Sequence, residues 1–468
     1  MTMRKQILVA AMSAVIVAGS VFIPGAASPF STAKTVMAAE KNHAPFDQKI
    51  VKRFNADNAY DHIYHLSETI GPRVAGSQEE KEGAAYLQAE FSQLGYDVDV
   101  QTFSIPDRLF GSLTVNGEDI PIRPSTGSSP TPEGGLTAPL YDAGLGYPED
   151  FTEEAEGKVA LISRGGFTFA EKAQNAVDAG AVAVIIYNNV ESLVPLTPSL
   201  GGSTISVPVV GTSKESGAYL LEQEEVTLEL QALTNQTSQN VIAVRKPHKK
   251  IKNPEIVYVT AHYDSVPLAP GANDNASGTG VMLELARVLK SYPLDKELRF
   301  IGFGAEEIGL VGARYYVAQL SSDEIERSVA NFNMDMVGTS WEPASKLFVN
   351  VTDGSPNIVW QISSKVAERL GHEPLLLNQG GSSDHVAFHE VGIESANFIR
   401  REPGTGALEP WYHTPFDTVE NISVERLQEA GEIVGASVYE LVRKETNRKN
   451  KQNKAQSIQP TDIYSSLQ

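Results

Sequence analysis

Three observations predict an α/β fold. Short apolar runs such as Ile256 to Val259, Leu298 to Phe303 and Val329 to Met334 read as buried strands of a parallel sheet. Stretches with apolar residues at helical spacing accompany them, as in Glu79 to Leu94. The runs lead into His, Asp or Glu, and in open α/β sheets chemistry collects at the carboxyl ends of the strands.

The chain has 468 residues, enough for two or more domains with full cores. Its formal charge of -20 disfavours nucleic acid or an anionic membrane as the main partner. There is no cysteine, which excludes disulfides, thiolate metal sites and cysteine nucleophiles. Any metal must be held by His, Asp or Glu.

In chain order, residues 1–39 read as a signal peptide. Arg4 and Lys5 precede an apolar stretch from Ile7 to Ile23, and Gly25-Ala26-Ala27 and Val36-Met37-Ala38 are both candidate cleavage ends. The mature protein is expected to be secreted, beginning near Ala39 or Glu40. No other run approaches spanning length, so no integral membrane segment is expected after signal removal.

From Asn58 to about Phe103 the pattern is helix, helix, strand. Ala84, Leu87, Phe91 and Leu94 lie on one helical face, and Gly95 stops that helix. Tyr96 to Phe103 alternates as a strand does. The Pro, Ser, Thr and Gly texture of Arg123 to Gly135 reads as a boundary loop. An inserted α/β module is expected next, with strands at Gly157 to Ser163, Ala181 to Tyr187 and Ile205 to Val210, and helices at Phe169 to Ala179 and Gly217 to Glu222. No titratable cluster lines it, so it is expected not to carry the chemistry. Strands resume near Asn240, and the Lys-rich tail after residue 445 reads as a solvated end able to touch an anionic cell wall.

The metal-type residues follow. Thr260-Ala261-His262-Tyr263-Asp264 and Gly271-Ala272-Asn273-Asp274-Asn275 come just past one apolar run, Glu306-Glu307 past the next, and Asp335 past a third. Ser383-Asp384-His385 sits in a Gly/Ser loop, and Tyr412-His413 in a loop near the end. Taken singly, each has an ordinary structural explanation; Asp274, for example, would serve to cap the following helix. Asp335 is the hardest to explain that way, because Met334 and Met336 flank it and a buried charge must be paired or metal-bound. Together, His262, Asp274, Glu307, Asp335 and His413 suit two divalent ions, with a carboxylate bridging them and room for a shared water. The Glu306-Glu307 pair offers one metal ligand and one free general base. Asp264 is the expected partner of the His262 ring.

These motifs resemble the double-zinc exopeptidases of the bacterial leucyl aminopeptidase and aminopeptidase Y type. The motifs concerned are Ala261-His262-Tyr263-Asp264-Ser265, Gly271 to Gly278, Ala305-Glu306-Glu307, Asn333-Met334-Asp335-Met336 and Tyr412-His413-Thr414. Gly157 to Ile162 and Ala179 to Ile186 look like the protease-associated domain often inserted in such enzymes. The resemblance implies a three-layer α/β/α domain on a mixed, mainly parallel sheet. The peptidase parts would fall at 40–129 and 236–445, the insert at 130–235 and the tail at 446–468. It implies two Zn2+ ions, with Co2+ or Mn2+ as substitutes, and peptide substrates with a free N-terminus. Asp274 would bridge, His262 and Asp335 would complete one zinc, and Glu307 and His413 the other. Glu306 would be the general base, Tyr412 would stabilise the oxyanion and Asp264 would orient His262; Asp384 would stand behind the ligands. Ser382 stands where some relatives carry Arg, so any carbonyl contact from that Arg does not carry over. A non-catalytic peptide-binding protein and a glutaminyl cyclase-type enzyme are the alternative readings.

Overall fold

The computed structural model describes residues 46–248 and 251–443. The expected signal segment, its cleavage end and the basic tail lie outside these residues. The first of two eight-stranded sheets runs, in spatial order, Asp97–Ser104, Thr237–Arg245, Glu297–Phe303, Ile256–His262, Ser328–Met334, Ser395–Arg401, Lys346–Val351, Leu376–Gln379. The four strands from Glu297–Phe303 to Ser395–Arg401 are mutually parallel, and antiparallel partners flank them on both sides. The sheet is therefore mixed with a parallel centre, as the resemblance implied.

Ile256–His262 is buried along its whole length, as its β-branched and aromatic content favours. Successive side chains of a strand point to opposite faces. Val257, Val259 and Ala261 accordingly pack in one core with the helices Ala56–Tyr64, Gly278–Leu289, Ile358–Leu370 and Val424–Val442. Ile256 and Tyr258 pack on the other face with residues of Val311–Ala318 and His385–Glu390. Helices on both faces of one sheet give the three layers.

The second sheet runs Glu118–Ile120, Arg108–Val115, Glu225–Leu233, Leu136–Asp142, Val159–Ser163, Ala183–Tyr187, Val209–Thr212, Arg123–Pro124. The sequence reading begins the insert at residue 130 and treats Arg123 to Gly135 as a loop. In the structure the second sheet already includes Arg108–Val115, Glu118–Ile120 and Arg123–Pro124. Glu118–Ile120 and Arg123–Pro124 are too short to carry a pattern, whereas Arg108–Val115 alternates in burial, with Leu113 and Val115 in the core of the insert. Gly111 belongs to that pairing: a Cβ there would meet the Glu229 carbonyl oxygen at 1.7 Å.

The chain leaves the first sheet after Ser104 and returns at Thr237, and these two residues face each other in register. Val241 pairs with Gly302 and Arg245 with Leu298, so Thr237 lies beyond the carboxyl end of Glu297–Phe303. The inserted sheet thus leaves from the edge where the parallel strands end. No helix among the described residues is long and apolar enough to cross a membrane.

Candidate metal centre

His262 is the last residue of its strand, between the ends of two parallel neighbours. Its Nε2 lies 3.4 Å from Asp274 Oδ1, 3.5 Å from Asp335 Oδ1 and 3.9 Å from Glu306 Oε2. His413 Nε2 lies 3.0 Å from Asp274 Oδ2 and 3.2 Å from Glu307 Oε2. The two oxygens of Asp274 therefore point to different histidines. Tyr412 stacks on the His413 ring at 3.8 Å and lines the same cleft as Asp274, Glu306, Glu307 and Asp335. The fold thus brings every expected ligand, the expected base and Tyr412 to one place.

Asp264 does more than face His262. Its Oδ1 lies 3.4 Å from His262 Nδ1, whereas its own main-chain oxygen is nearer at 3.2 Å. Its carboxylate accepts the backbone N–H of Glu306 at Oδ1 (3.1 Å) and that of Glu307 at Oδ2 (3.2 Å). It therefore fixes the pair of glutamates as well as the histidine. Asp384 is fully buried behind the ligands, and neither of its side-chain oxygens has a hydrogen-bond partner.

Three supporting residues escaped the sequence reading. Asp417 accepts the N–H groups of Asn273 (2.7 Å) and Asp274 (3.0 Å), holding the bridging position. Arg73, fully buried, donates to the carbonyls of Tyr263, Pro270 and Gly271 and ties the His262 loop to the Asp274 loop. Glu80 accepts from Ala305 N–H and Ser238 Oγ at the base of the glutamate loop. Asp417 stood only four residues past His413, and that proximity was the one available signal. Nothing adjacent in sequence marked Arg73 or Glu80.

Three non-glycine residues at the site have positive φ: Ala305 at 56°, Met336 at 62° and His413 at 59°. Each costs on the order of 1 kcal/mol or more and persists only where its surroundings over-determine it. Here the Ala305 and Met336 N–H groups are taken by Glu80 and by the Asn275 side chain. Strained backbone at three loops that meet at one cluster is a mark of a functional site.

The electrostatics call for cations. Burial pushes Glu307 up to about 7 and Asp384 up to about 8, and it raises Glu306 well above the carboxylate range, with neighbouring carboxylates adding to each. For His413 burial works the other way, but Asp274 and Glu307 prevail and raise it to about 10. His262 is likewise raised despite its burial, by Glu306 and the aspartates around it. Asp274 is lowered, because the two histidines outweigh its own desolvation. Glu307 Oε1 and Asp335 Oδ1 are buried with no hydrogen-bond partner. An all-nitrogen-and-oxygen donor set with orphaned acceptors and crowded negative charge fits divalent metal. Ligand atoms of His262, Asp274 and Glu307, and those of His262, Glu306 and Asp335, each gather within 4.8 Å. Distance alone thus admits Glu306 as a ligand too. Its contact to His262 is the longest of the three carboxylates', and only Asp274 reaches both histidines.

Comparison with known proteins places this arrangement. Residues 240–438 match peptidase family M28, and residues 134–220 match the PA domain. Aminopeptidase YwaD of Bacillus subtilis (strain 168) is 55% identical over 99% of this chain and 100% of its own length. The chain belongs to peptidase family M28. A solved structure of BSAP, a zinc aminopeptidase from Bacillus subtilis, is 61% identical and superposes with a TM-score of 0.76, covering 84% of this chain and 96% of that one. An aminopeptidase from Aneurinibacillus sp. strain AM-1 is 40% identical with a TM-score of 0.63, covering 85% of this chain and 97% of its own. All five expected ligands of this M28 peptidase fall inside the matched segment, and the PA match falls inside the second sheet.

Proposed function

We propose that this M28 peptidase is a secreted zinc aminopeptidase working through two metal ions. The observation that carries the reading is the division of Asp274, with Oδ1 toward His262 and Oδ2 toward His413. His262, Asp274 and Asp335 would hold one ion and Asp274, Glu307 and His413 the other. Zinc is the expected metal, and the same ligands accept cobalt or manganese. When bound, the ions would lower the pKa of a water molecule and polarise the scissile carbonyl.

The chain's own residues supply the rest. Glu306 binds neither ion in this reading, so its carboxylate is free to take a proton from the attacking water and pass it to the leaving amine. Burial and the surrounding carboxylates raise the Tyr412 pKa, so its phenol keeps its proton and can donate to the developing oxyanion. The free α-amino group of the substrate is held by the excess carboxylate, with Glu306 and Asp335 nearest. The cleft also includes Met336, Ile399 and Leu408, an apolar wall suited to the first side chain. All the groups that a non-catalytic relative would be expected to lose are present. The deciding experiment counts metal by elemental analysis and follows a free peptide and its N-acetylated twin by mass spectrometry. Release of only the first residue, from only the free peptide, by a protein holding two metal ions per chain is the expected result. Equal cleavage of both peptides, or cuts in mid-chain, would reject it. Secretion is tested by sequencing the N-terminus of protein from the culture medium, expected near Ala39.

A further inference from the structure

The inserted sheet contributes a residue to the site. Arg123 pairs in register with Gly211, and Pro124 with Val210, so Arg123 is a strand residue of the insert rather than of the peptidase sheet. The Thr212 hydroxyl donates to the Pro121 carbonyl (2.8 Å) and fixes the approach of this segment. From there the half-buried Arg123 crosses to the centre, and its Nη2 donates to the main-chain oxygen of His413 at 3.3 Å. That is the only hydrogen bond its guanidinium makes among the described residues, and no carboxylate forms an ion pair with it. Glu307 and Tyr412 are within electrostatic reach. A guanidinium carries five N–H donors, so most remain to be used.

Met336, Ile399 and Leu408 line one cleft together with Asp335, Glu307, Arg401 and Tyr412, and Arg123 reaches the main chain of His413, the neighbour of Tyr412. A peptide whose chain beyond the scissile bond leaves on the Tyr412–His413 side of the cleft passes Arg123. We infer that Arg123 is a substrate-binding residue supplied by the insert, which receives an oxygen of the residue after the scissile bond: the carboxylate of a dipeptide or the main-chain carbonyl of a longer peptide. Such charge-assisted bonds are about twice as strong as neutral ones, and strongest to a carboxylate. The inference rests on the aminopeptidase reading, and it gives the inserted sheet a named residue in substrate selection.

The test compares wild type with Arg123→Met and Arg123→Lys on three substrates: Leu-Gly, Leu-Gly-amide and leucine p-nitroanilide. Arg123→Met is expected to raise KM about tenfold for Leu-Gly, less for Leu-Gly-amide and not at all for the anilide, which has no such oxygen. Arg123→Lys, keeping the charge, is expected to recover part of the loss for Leu-Gly. Metal content should not change. A parallel fall in kcat on all three substrates would show that Arg123 only props the His413 loop and would overturn the inference, as would no change on any. If wild type cleaved none of the three, the aminopeptidase reading itself would fail, a result distinct from either.

Discussion

Asp264 holds Glu306 through the backbone. The N–H of Glu306 donates to Asp264 Oδ1 at 3.1 Å, and the same carboxylate takes the neighbouring Glu307 N–H at 3.2 Å. One buried side chain thus sets the position of both the candidate base and a candidate ligand, while its Oδ1 also lies 3.4 Å from the ring of His262. The loop it holds begins at Ala305, whose positive φ would otherwise be poorly tolerated.

Replacing Asp264 should therefore reach further than loss of one histidine partner. Asp264→Ala removes both acceptors, and a fall of about 10- to 100-fold in metal affinity or activity is expected, as for other groups that orient ligands. Asp264→Asn keeps one oxygen and should cost less. Metal titration of the two variants checks the order; equal losses would point to charge alone.

The two adjacent glutamates should separate cleanly. Glu306→Gln keeps size but cannot accept the proton, so turnover should fall by about a hundredfold to ten-thousandfold with metal content intact. Glu307→Gln should instead weaken metal binding. Steady-state kinetics beside elemental analysis distinguish them, and near wild-type turnover in Glu306→Gln would remove it from its role.

Metal removal should abolish activity and zinc should restore it. Stability should move in the same direction, because ions that bind only the folded chain stabilise it by mass action, and the crowded carboxylates lose their counter-charge without them. Chelator-treated protein is expected to melt at lower temperature, with re-addition reversing the shift. Full activity in protein verified to be metal-free would contradict the assignment.

Away from the site, His62 should give the fold an acid-sensitive component. Its Nδ1 is 2.6 Å from the Tyr86 hydroxyl, and burial lowers its pKa to about 4, against opposing contributions from Glu284 and Asp61. A histidine held neutral in the fold and titrating near 6.5 when unfolded contributes stability above about pH 6.5 that is lost as pH falls toward 4. Chemical denaturation at pH 7 and pH 5 should show the decline, and His62→Gln should flatten it. An unchanged slope in that variant would assign the decline elsewhere.

What the sequence determined was local. Unbroken apolar runs such as Ile256 to Val259 must be buried on both faces, so they mark a covered parallel sheet, and ligand-type residues placed just past them must meet at its carboxyl edge. That reasoning points to His262, Asp264, Asp274, Glu306, Glu307 and Asp335; His413, in a later loop, completes the expected ligand set, and the family resemblance adds the role of Tyr412. The pairing of Arg108–Val115 with Glu225–Leu233 was not legible: each strand alternates, with Leu113, Val115, Val226, Leu228 and Leu230 buried, but the partners lie more than 100 residues apart and no local pattern names them. The same holds for Arg73, Glu80, Asp417 and Arg123. Each acts by hydrogen bonds to main-chain groups brought near only by folding, and no spacing in the sequence encodes such a distance.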